Sequence, residues 1–357
     1  MSESSQSPAK PSPPGKAFRT FSPAARNDWI LQQRGSRNQV AASTAYAALR
    51  EWEATDSAQH ADVWTVFLTN KECPWRCLMC DLWKNTLESP LPSGAVVQQL
   101  DDALDLLRRQ PPNEKPTFTT APRHLKLYNS GSFFDPQAIP LADHPAIIER
   151  AKTFDHLVVE CHPSLVGDRI LRFQSQLNSA GTTGLEVALG LETAHAGCLE
   201  TLNKRMTVPD YQEAAGFLRD HQIQIRTFLL VHPPLLREEE QCEWLQRSLR
   251  LALDAGSSVV SLIPTRVGNG ALERLAEAGE FREPTLLAIE DAFDMGLALQ
   301  RGRVFLDLWD LSRFSRCSAC FDARHLRLQR MNLSQRSEPR VSCPSGCHER
   351  RGDDAQL

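Results

Sequence analysis

Residues 63–83 read VWTVFLTNKECPWRCLMCDLW, an apolar, β-branched run that passes without a break into a loop holding three cysteines. Val63–Asn70 has the composition of a strand. Cys73, Cys77 and Cys80 follow it in the spacing C-x3-C-x2-C. A chain of 357 residues can bury a sizeable core and needs no disulfide staples, so its ten cysteines read as metal ligands or small buried hydrophobes. Seven of the ten stand in two tight groups, and Cys161, Cys198 and Cys242 stand alone. Of these, Cys161 (in a strand) and Cys242 (in a helix) are expected in the core.

Working outward from that strand, short apolar runs alternate with amphipathic stretches. In AVVQQLDDALDLL, the residues Val96, Val97, Leu100, Leu104 and Leu107 share one helical stripe. HLKLYNSGS, HLVVECHP, LEVALGLET, IQIRTFLLVHPP and SVVSLIPT supply five further strands, each followed by a helical segment. The Pro pair after the fifth strand cannot continue a ladder, and Gly256 stands where a helix C-cap is expected. Six strand-then-helix units in series predict an α/β fold with a parallel sheet, and the near-continuous apolar strands fit burial on both faces. Residues 1–25, rich in Ser, Pro and Lys, are expected to be disordered. A helical lead-in is expected over 26–62, the barrel or sheet domain over 63–311, and a Cys- and Arg-rich metal-binding module over 312–357.

No apolar run reaches the length of a membrane helix and the N-terminus lacks a signal-peptide core, so the expected setting is cytoplasmic, away from membranes. A net charge of −4 offers no field for nucleic acid over the whole molecule. Residues 301–351 differ, with 11 arginines against 5 acidic residues. That surplus is either a salt-bridged face or a docking patch for an anionic partner.

C-x3-C-x2-C directly after the first strand of a βα series resembles the radical S-adenosylmethionine (SAM) superfamily. The resemblance implies that Cys73, Cys77 and Cys80 bind a 4Fe-4S cluster with one iron open to the amino and carboxylate groups of SAM. One electron from the cluster then cleaves SAM to a 5′-deoxyadenosyl radical, which abstracts hydrogen from substrate. It also implies an electron donor such as flavodoxin or ferredoxin. Met79 stands where the family often has an aromatic residue, and a thioether can pack over a cluster in its place.

In parallel barrels the working residues lie at the C-terminal ends of strands. Those ends carry Asn129, Ser130 and Gly131, then Glu160 and His162, Glu192 and Thr193, His232, and Thr265. The resemblance places Ser130 and Gly131 in the turn that approaches the SAM amino group and Glu192 at the SAM ribose, with Glu160 also in the cofactor site. LNKRMT supplies Lys204 and Arg205, and the planar guanidinium of Arg205 is the expected partner of the SAM carboxylate. Strand-end carboxylates can equally be satisfied by helix N-termini, and His162 and His232, both before Pro or in a turn, can be plain turn residues.

The second group, Cys317-x2-Cys320 and Cys343-x3-Cys347, has the spacing of a zinc ribbon. Four thiolates serve structural Zn2+ or a second, auxiliary Fe-S cluster, and the spacing leaves both open. CPWRCLMCDLW, LKLYNSGSFFDP, LGLET and the late paired cysteines are similar to the Elongator-like branch of the superfamily, and within it to the radical SAM subunit of archaeosine synthase and its bacterial relatives. That implies a partial (β/α)6 TIM-like barrel with a small zinc-ribbon-like C-terminal module and, more loosely, action on tRNA or a modified base. A small metabolite as substrate stays open, as does a non-catalytic, metal-stapled nucleic-acid-binding protein. Aromatic residues able to stack a base are apparent only at Trp309, Phe314 and Phe321.

Overall fold

The computed structural model describes residues 15–57, 59–110 and 122–347. The disorder expected for residues 1–25 lies outside the described residues up to residue 14; from Gly15 the chain is structured instead. A 3-10 turn over Gly15–Thr20 leads into helix α1 (Pro23–Gln33), started by Ser22, whose hydroxyl accepts from the Ala25 amide at 3.2 Å. The lead-in is helical only this far. Residues Ala47–Ala54 form strand β1, antiparallel to β2 (His60–Leu68), which supplies the ladder that AALREWEA alone does not dictate.

From β2 the chain repeats strand and helix as expected. The series runs α2 (Ala95–Arg109), β3 (Arg123–Asn129), α3 (His144–Ala151), β4 (His156–Cys161), α4 (Asp168–Ala180) and β5 (Gly184–Glu192). It continues with α5 (Ala196–Thr201), α6 (Val208–Asp220), β6 (Gln224–Val231), α7 (Gln241–Asp254), β7 (Val259–Pro264), α8 (Ala271–Glu277), α9 (Leu286–Ala298), β8 (Arg303–Leu306) and α10 (Ser318–Ser334). Strands β2 to β8 pair in parallel, in sequence order, and β1 flanks β2. The partial barrel is thus borne out with a seventh parallel strand, β8, which the run VFLDLWD supplies. The tail module is not a separate body: Leu328 and Met331 of α10 are fully buried in the same core as the sheet.

Alternation along the strands sorts side chains between the two faces of the sheet. Leu125 and Leu127 of β3, Leu157 and Val159 of β4, and Val187 and Leu189 of β5 pack with the helices in one core. The alternate positions carry charge. Lys126 of β3 pairs with Glu53 of β1, while Arg226 of β6 meets Glu186 at 2.5 Å and Glu53 at 3.2 Å. Burial alone raises the Glu53 carboxyl, but the Arg226 guanidinium and the Lys126 ammonium override it and hold the group at about 2. A carboxylate depressed in this way stabilises the fold above the ordinary carboxyl range, and that contribution is lost as pH falls toward 2.

This network ties the antiparallel β1 to strands on the far side of the barrel. Removing one partner strands a buried charge, so Lys126→Met is expected to cost about 3–5 kcal/mol in denaturant unfolding at pH 7. A loss below about 1 kcal/mol would show that Glu53 is carried by Arg226 alone.

Candidate functional site

The site is built by anchoring the chain as it leaves β2. Gln99 of α2 accepts from the Thr69 amide at 2.9 Å and donates to the Thr69 carbonyl at 2.8 Å. Asn70 accepts from the Ser130 amide at 3.0 Å and donates to the Ser130 carbonyl at 3.1 Å, which locks the ends of β2 and β3 together. The cysteine loop is held from its other side as well. The Leu78 amide donates to Leu202 at 2.9 Å, Asn203 donates to the Arg76 carbonyl at 2.7 Å, and Asn269 donates to the Leu78 carbonyl at 2.7 Å. Leu78, between the second and third cysteines, is fully buried with Phe18, Trp29 and Ile30 of the N-terminal segment. Arg34 and Arg37 after α1 close on Glu72, one residue before Cys73.

Burial pushes the thiols of Cys73, Cys77 and Cys80 up to about 12, so as free thiols they stay protonated at neutral pH. Gly131 lies against the first of them: a Cβ there would stand 3.2 Å from the Cys73 sulfur, and its φ of +126° is open to glycine alone. Lys204 is buried beside Cys77 and Cys73 and paired with Glu192. Burial lowers the Lys204 ammonium's affinity for its proton, yet the Glu192 carboxylate and the neighbouring sulfurs outweigh it and the net shift is upward. Glu192 itself takes a φ of +67°, at an irregularity in the β5–β6 ladder. Glu160 accepts from the Asn129 amide at 3.2 Å, and burial raises its carboxyl to about 8.

Of the residues expected at the site, Cys73, Cys77, Cys80, Ser130, Gly131, Glu160 and Glu192 lie on these adjoining strand ends and loops. Arg205 does not join them. Its φ of +62° turns the exposed side chain outward to donate to the Pro23 carbonyl at 2.9 Å, and Lys204 takes the inner place. His162 is a packing residue: it stacks on Trp75 at 3.9 Å, contacts Ser164, and reaches the Lys204 carbonyl at 2.9 Å. His232 contacts Glu238 at 3.7 Å. Cys161 is buried as expected, whereas Cys242 is exposed, on the outer side of α7.

Two features escape a reading of strand ends. Rings from four segments form a chain, Tyr46 to Phe67 at 5.7 Å, Phe67 to Tyr128 at 5.9 Å and Tyr128 to Phe228 at 5.9 Å. Tyr128 alternates with Leu127 and so falls on the face of Lys126; the position was legible from HLKLYN, where polar residues interrupt an apolar run. Burial, and after it Glu160, Asp81 and Cys80, raise the Tyr46 phenol, which sets this ring next to the cysteine loop. The side-chain amide of Asn129, 1% exposed, has both its oxygen and nitrogen unpartnered among the described residues.

The tail cysteines come together as expected. Cys317 and Cys343 stand 3.8 Å apart, Cys320 and Cys347 3.6 Å, and all four sulfurs lie within 4.8 Å of one another. Among the described residues this is the one such group of His, Cys, Asp or Glu; Cys73, Cys77 and Cys80 do not form another. The tail arginines are paired: Arg324 with Glu290, Arg327 with Glu290 and Asp294, Arg330 with Glu338, and Arg340 with Asp291 and Asp294. For these four arginines of the described residues, the salt-bridged face is what the fold builds.

Fold and site together define a parallel α/β barrel with an anchored three-thiol loop at the C-terminal end of its first parallel strand. In sequence the chain is similar to archaeosine synthase subunit beta of Thermococcus kodakarensis, 26% identical over 215 residues, covering 59% of this chain and 63% of that one. It is also similar to an uncharacterized protein of Methanocaldococcus jannaschii, 23% identical over 235 residues, covering 63% of this chain and 62% of that one. The expected resemblance to archaeosine synthase is therefore borne out, over less than two thirds of either relative's length. No protein-family model matches the chain. Among solved structures, methylornithine synthase aligns at a TM-score of 0.48 and 12% identity, covering 89% of this chain and 80% of that one. The Methanocaldococcus infernus Elp3 with an N-terminal deletion aligns at 0.45 and 13% identity, covering 75% and 63%.

Gly131→Ala is expected to lower the iron retained after anaerobic reconstitution at least twofold. Gly279→Ala, also at positive φ but with nothing within 4 Å of the new Cβ, should leave it unchanged. Equal iron in the two variants would mean that Gly131 serves only its turn.

Proposed function

We propose that this chain is a radical SAM enzyme in which Cys73, Cys77 and Cys80 hold a 4Fe-4S cluster. The observation that carries the reading is that three thiols in the spacing C-x3-C-x2-C stand on one loop anchored at the C-terminal end of the first parallel strand. Tetrahedral thiolates on one zinc, with bonds of about 2.3 Å, stand about 3.8 Å apart. The tail sulfurs match that edge. Three thiols fall one short of filling a tetrahedral ion, which suits a cluster with one iron left open, and the glycine facing Cys73 leaves room beside its sulfur. This disfavours the alternative of two closed structural zinc sites.

Cluster and SAM, when bound, supply reductive cleavage of SAM and hydrogen abstraction from substrate. The chain's own residues position and shield. Lys204, not Arg205, is the cation that faces the SAM carboxylate, with Glu192 fixing its ammonium. Ser130 and Gly131 offer backbone to the amino group. Glu160, near 8, presents a protonated carboxyl at neutral pH that can donate to an acceptor on cofactor or substrate.

For the substrate, a base on tRNA is the reading that the similarity to archaeosine synthase subunit beta supports. The ring chain from Tyr46 to Phe228 supports a planar, stackable group. One observation favours a free small molecule instead: among the described residues, Arg324, Arg327, Arg330 and Arg340 of the tail are committed to acidic partners rather than held free for phosphate. At the tail, the tetrahedral-edge spacing supports zinc over an auxiliary cluster.

Anaerobically reconstituted protein should be brown, hold about four irons and one zinc per chain, and release 5′-deoxyadenosine from SAM with dithionite. Replacing all three loop cysteines by Ala should remove iron and leave zinc. A colourless protein holding two zincs sinks the enzyme reading. Lys204→Ala is expected to weaken SAM binding at least tenfold while Arg205→Ala leaves it within twofold; the reverse order would restore Arg205 to the carboxylate. Comparing SAM cleavage with and without added tRNA or free nucleosides separates the two substrate classes.

A further inference from the structure

The sheet does not close on itself. β1 and β8 are its two ends and do not pair, which leaves a seam down one side of the barrel. At one end of the seam, Arg303 of β8 donates to the Ala54 carbonyl of β1 at 3.0 Å and meets Asp56 at 2.7 Å. Further along, Glu51 of β1 reaches Lys126 at 3.4 Å while its side chain stays 46% exposed, so solvent reaches this side of the charge network at the seam.

The free edge of β8 is covered by α10 through side chains. The Arg303 and Asp307 amides donate to Ser258 and Leu262 on the β7 side, so the alternate amides of Val304 and Leu306 face the open edge. Val304 donates to the side-chain oxygen of Gln335 at 2.8 Å. Leu306 donates to Asn332 at 2.9 Å and its carbonyl accepts from the same amide at 2.9 Å. On the β1 side, His60, which pairs with Ala54, contacts the Leu333 carbonyl at 3.1 Å. The end of α10 therefore stands in for the missing strand pairing, capping an edge that would otherwise present unpaired backbone groups.

What holds α10 there is a closed loop of chain. Cys317 and Cys320 flank its first turn, the segment after it returns along α9 through Arg340 to Asp291 and Ser337 to Asp294, and Cys343 and Cys347 meet the first pair of thiols. A metal at the four sulfurs would close that loop and fix helix and return segment as one unit, as a cross-link does.

We propose that the Cys317, Cys320, Cys343 and Cys347 site is a zinc latch: metal binding keeps α10 on the seam, and loss of the metal lets the β1–β8 edge open locally. The proposal rests on the zinc reading of the tail and is independent of SAM chemistry at the barrel mouth.

The test uses the full chain, purified with zinc, then stripped with a chelator, and Cys343→Ser as a second route to the metal-free form. Hydrogen exchange of the Val304 and Leu306 amides is followed beside that of Val158 and Val187 in β4 and β5. The latch predicts exchange at least tenfold faster at Val304 and Leu306 in both metal-free forms, with the β4 and β5 amides unchanged. Asn332→Ala, which keeps the four cysteines, should speed Leu306 while retaining zinc. Unchanged edge exchange in zinc-free protein overturns the latch, as does a uniform rise across β4 and β5, which would make the metal a global stabiliser. Iron in place of zinc in the purified tail site would instead overturn the metal assignment beneath it.

Discussion

Parallel pairing is the constraint on which this structure depends. Seven strands running the same way deliver seven chain ends to one rim, and every group with chemistry to offer is drawn from those ends. The first end carries the cysteine loop, and its placement is settled by a few polar side chains that bind backbone. Gln99 holds the chain at Thr69, and Asn70 ties it to Ser130. Because loop backbone has no ladder to join, these side-chain bonds and those from Asn203 and Asn269 replace one. The thiols are thus arranged by the protein before any metal is considered.

The same rim concentrates strain and charge. Glu192, the partner of Lys204, and Arg205, its neighbour in the chain, both sit at positive φ, which non-glycine residues adopt only where their surroundings impose it. The consequence is a reversal of facing: Arg205 turns out to Pro23, and Lys204 turns in to Glu192. Gly190 makes room for this pair, since a Cβ there would collide with the Lys204 ammonium. A buried lysine and glutamate cancel each other's charge, so the pair adds a directed dipole to the loop sulfurs at lower desolvation cost than an unpaired cation.

How much of this was legible in the sequence follows from the range of the forces involved. The strand and helix series, and the cysteine spacings, are local patterns, and they read correctly because burial on both faces leaves continuous apolar runs. β1 was misread as helix because AALREWEA has good helix formers, and only the tertiary partner β2 turns it into a strand. Guanidinium chemistry favours Arg205 over its neighbour Lys204 in the sequence, but a backbone φ of +62° sends the Arg205 side chain to Pro23, a facing that no side-chain preference reveals. The rings at Tyr46, Phe67, Tyr128 and Phe228 lie up to 182 residues apart (228 − 46) and meet only through the curl of the sheet.

The arginine surplus of the tail teaches the same lesson from charge. Counted along the chain it reads as a basic patch; in space Arg324, Arg327 and Arg340 are met by Glu290, Asp291 and Asp294 of α9, which lie outside the window. Arg324 and Arg327 are nearly or fully buried, so their pairing with Glu290 is a condition of folding rather than a surface ornament. The two cysteine groups then separate on geometry alone. The tail brings four sulfurs within 4.8 Å of one another, the number that fills a tetrahedral ion, while the loop offers three thiols beside a buried ion pair and a glycine. The two groups also sit in different surroundings: the three-thiol loop lies at the rim of the barrel, and the four-thiol group lies beside the helix that covers the edge of β8.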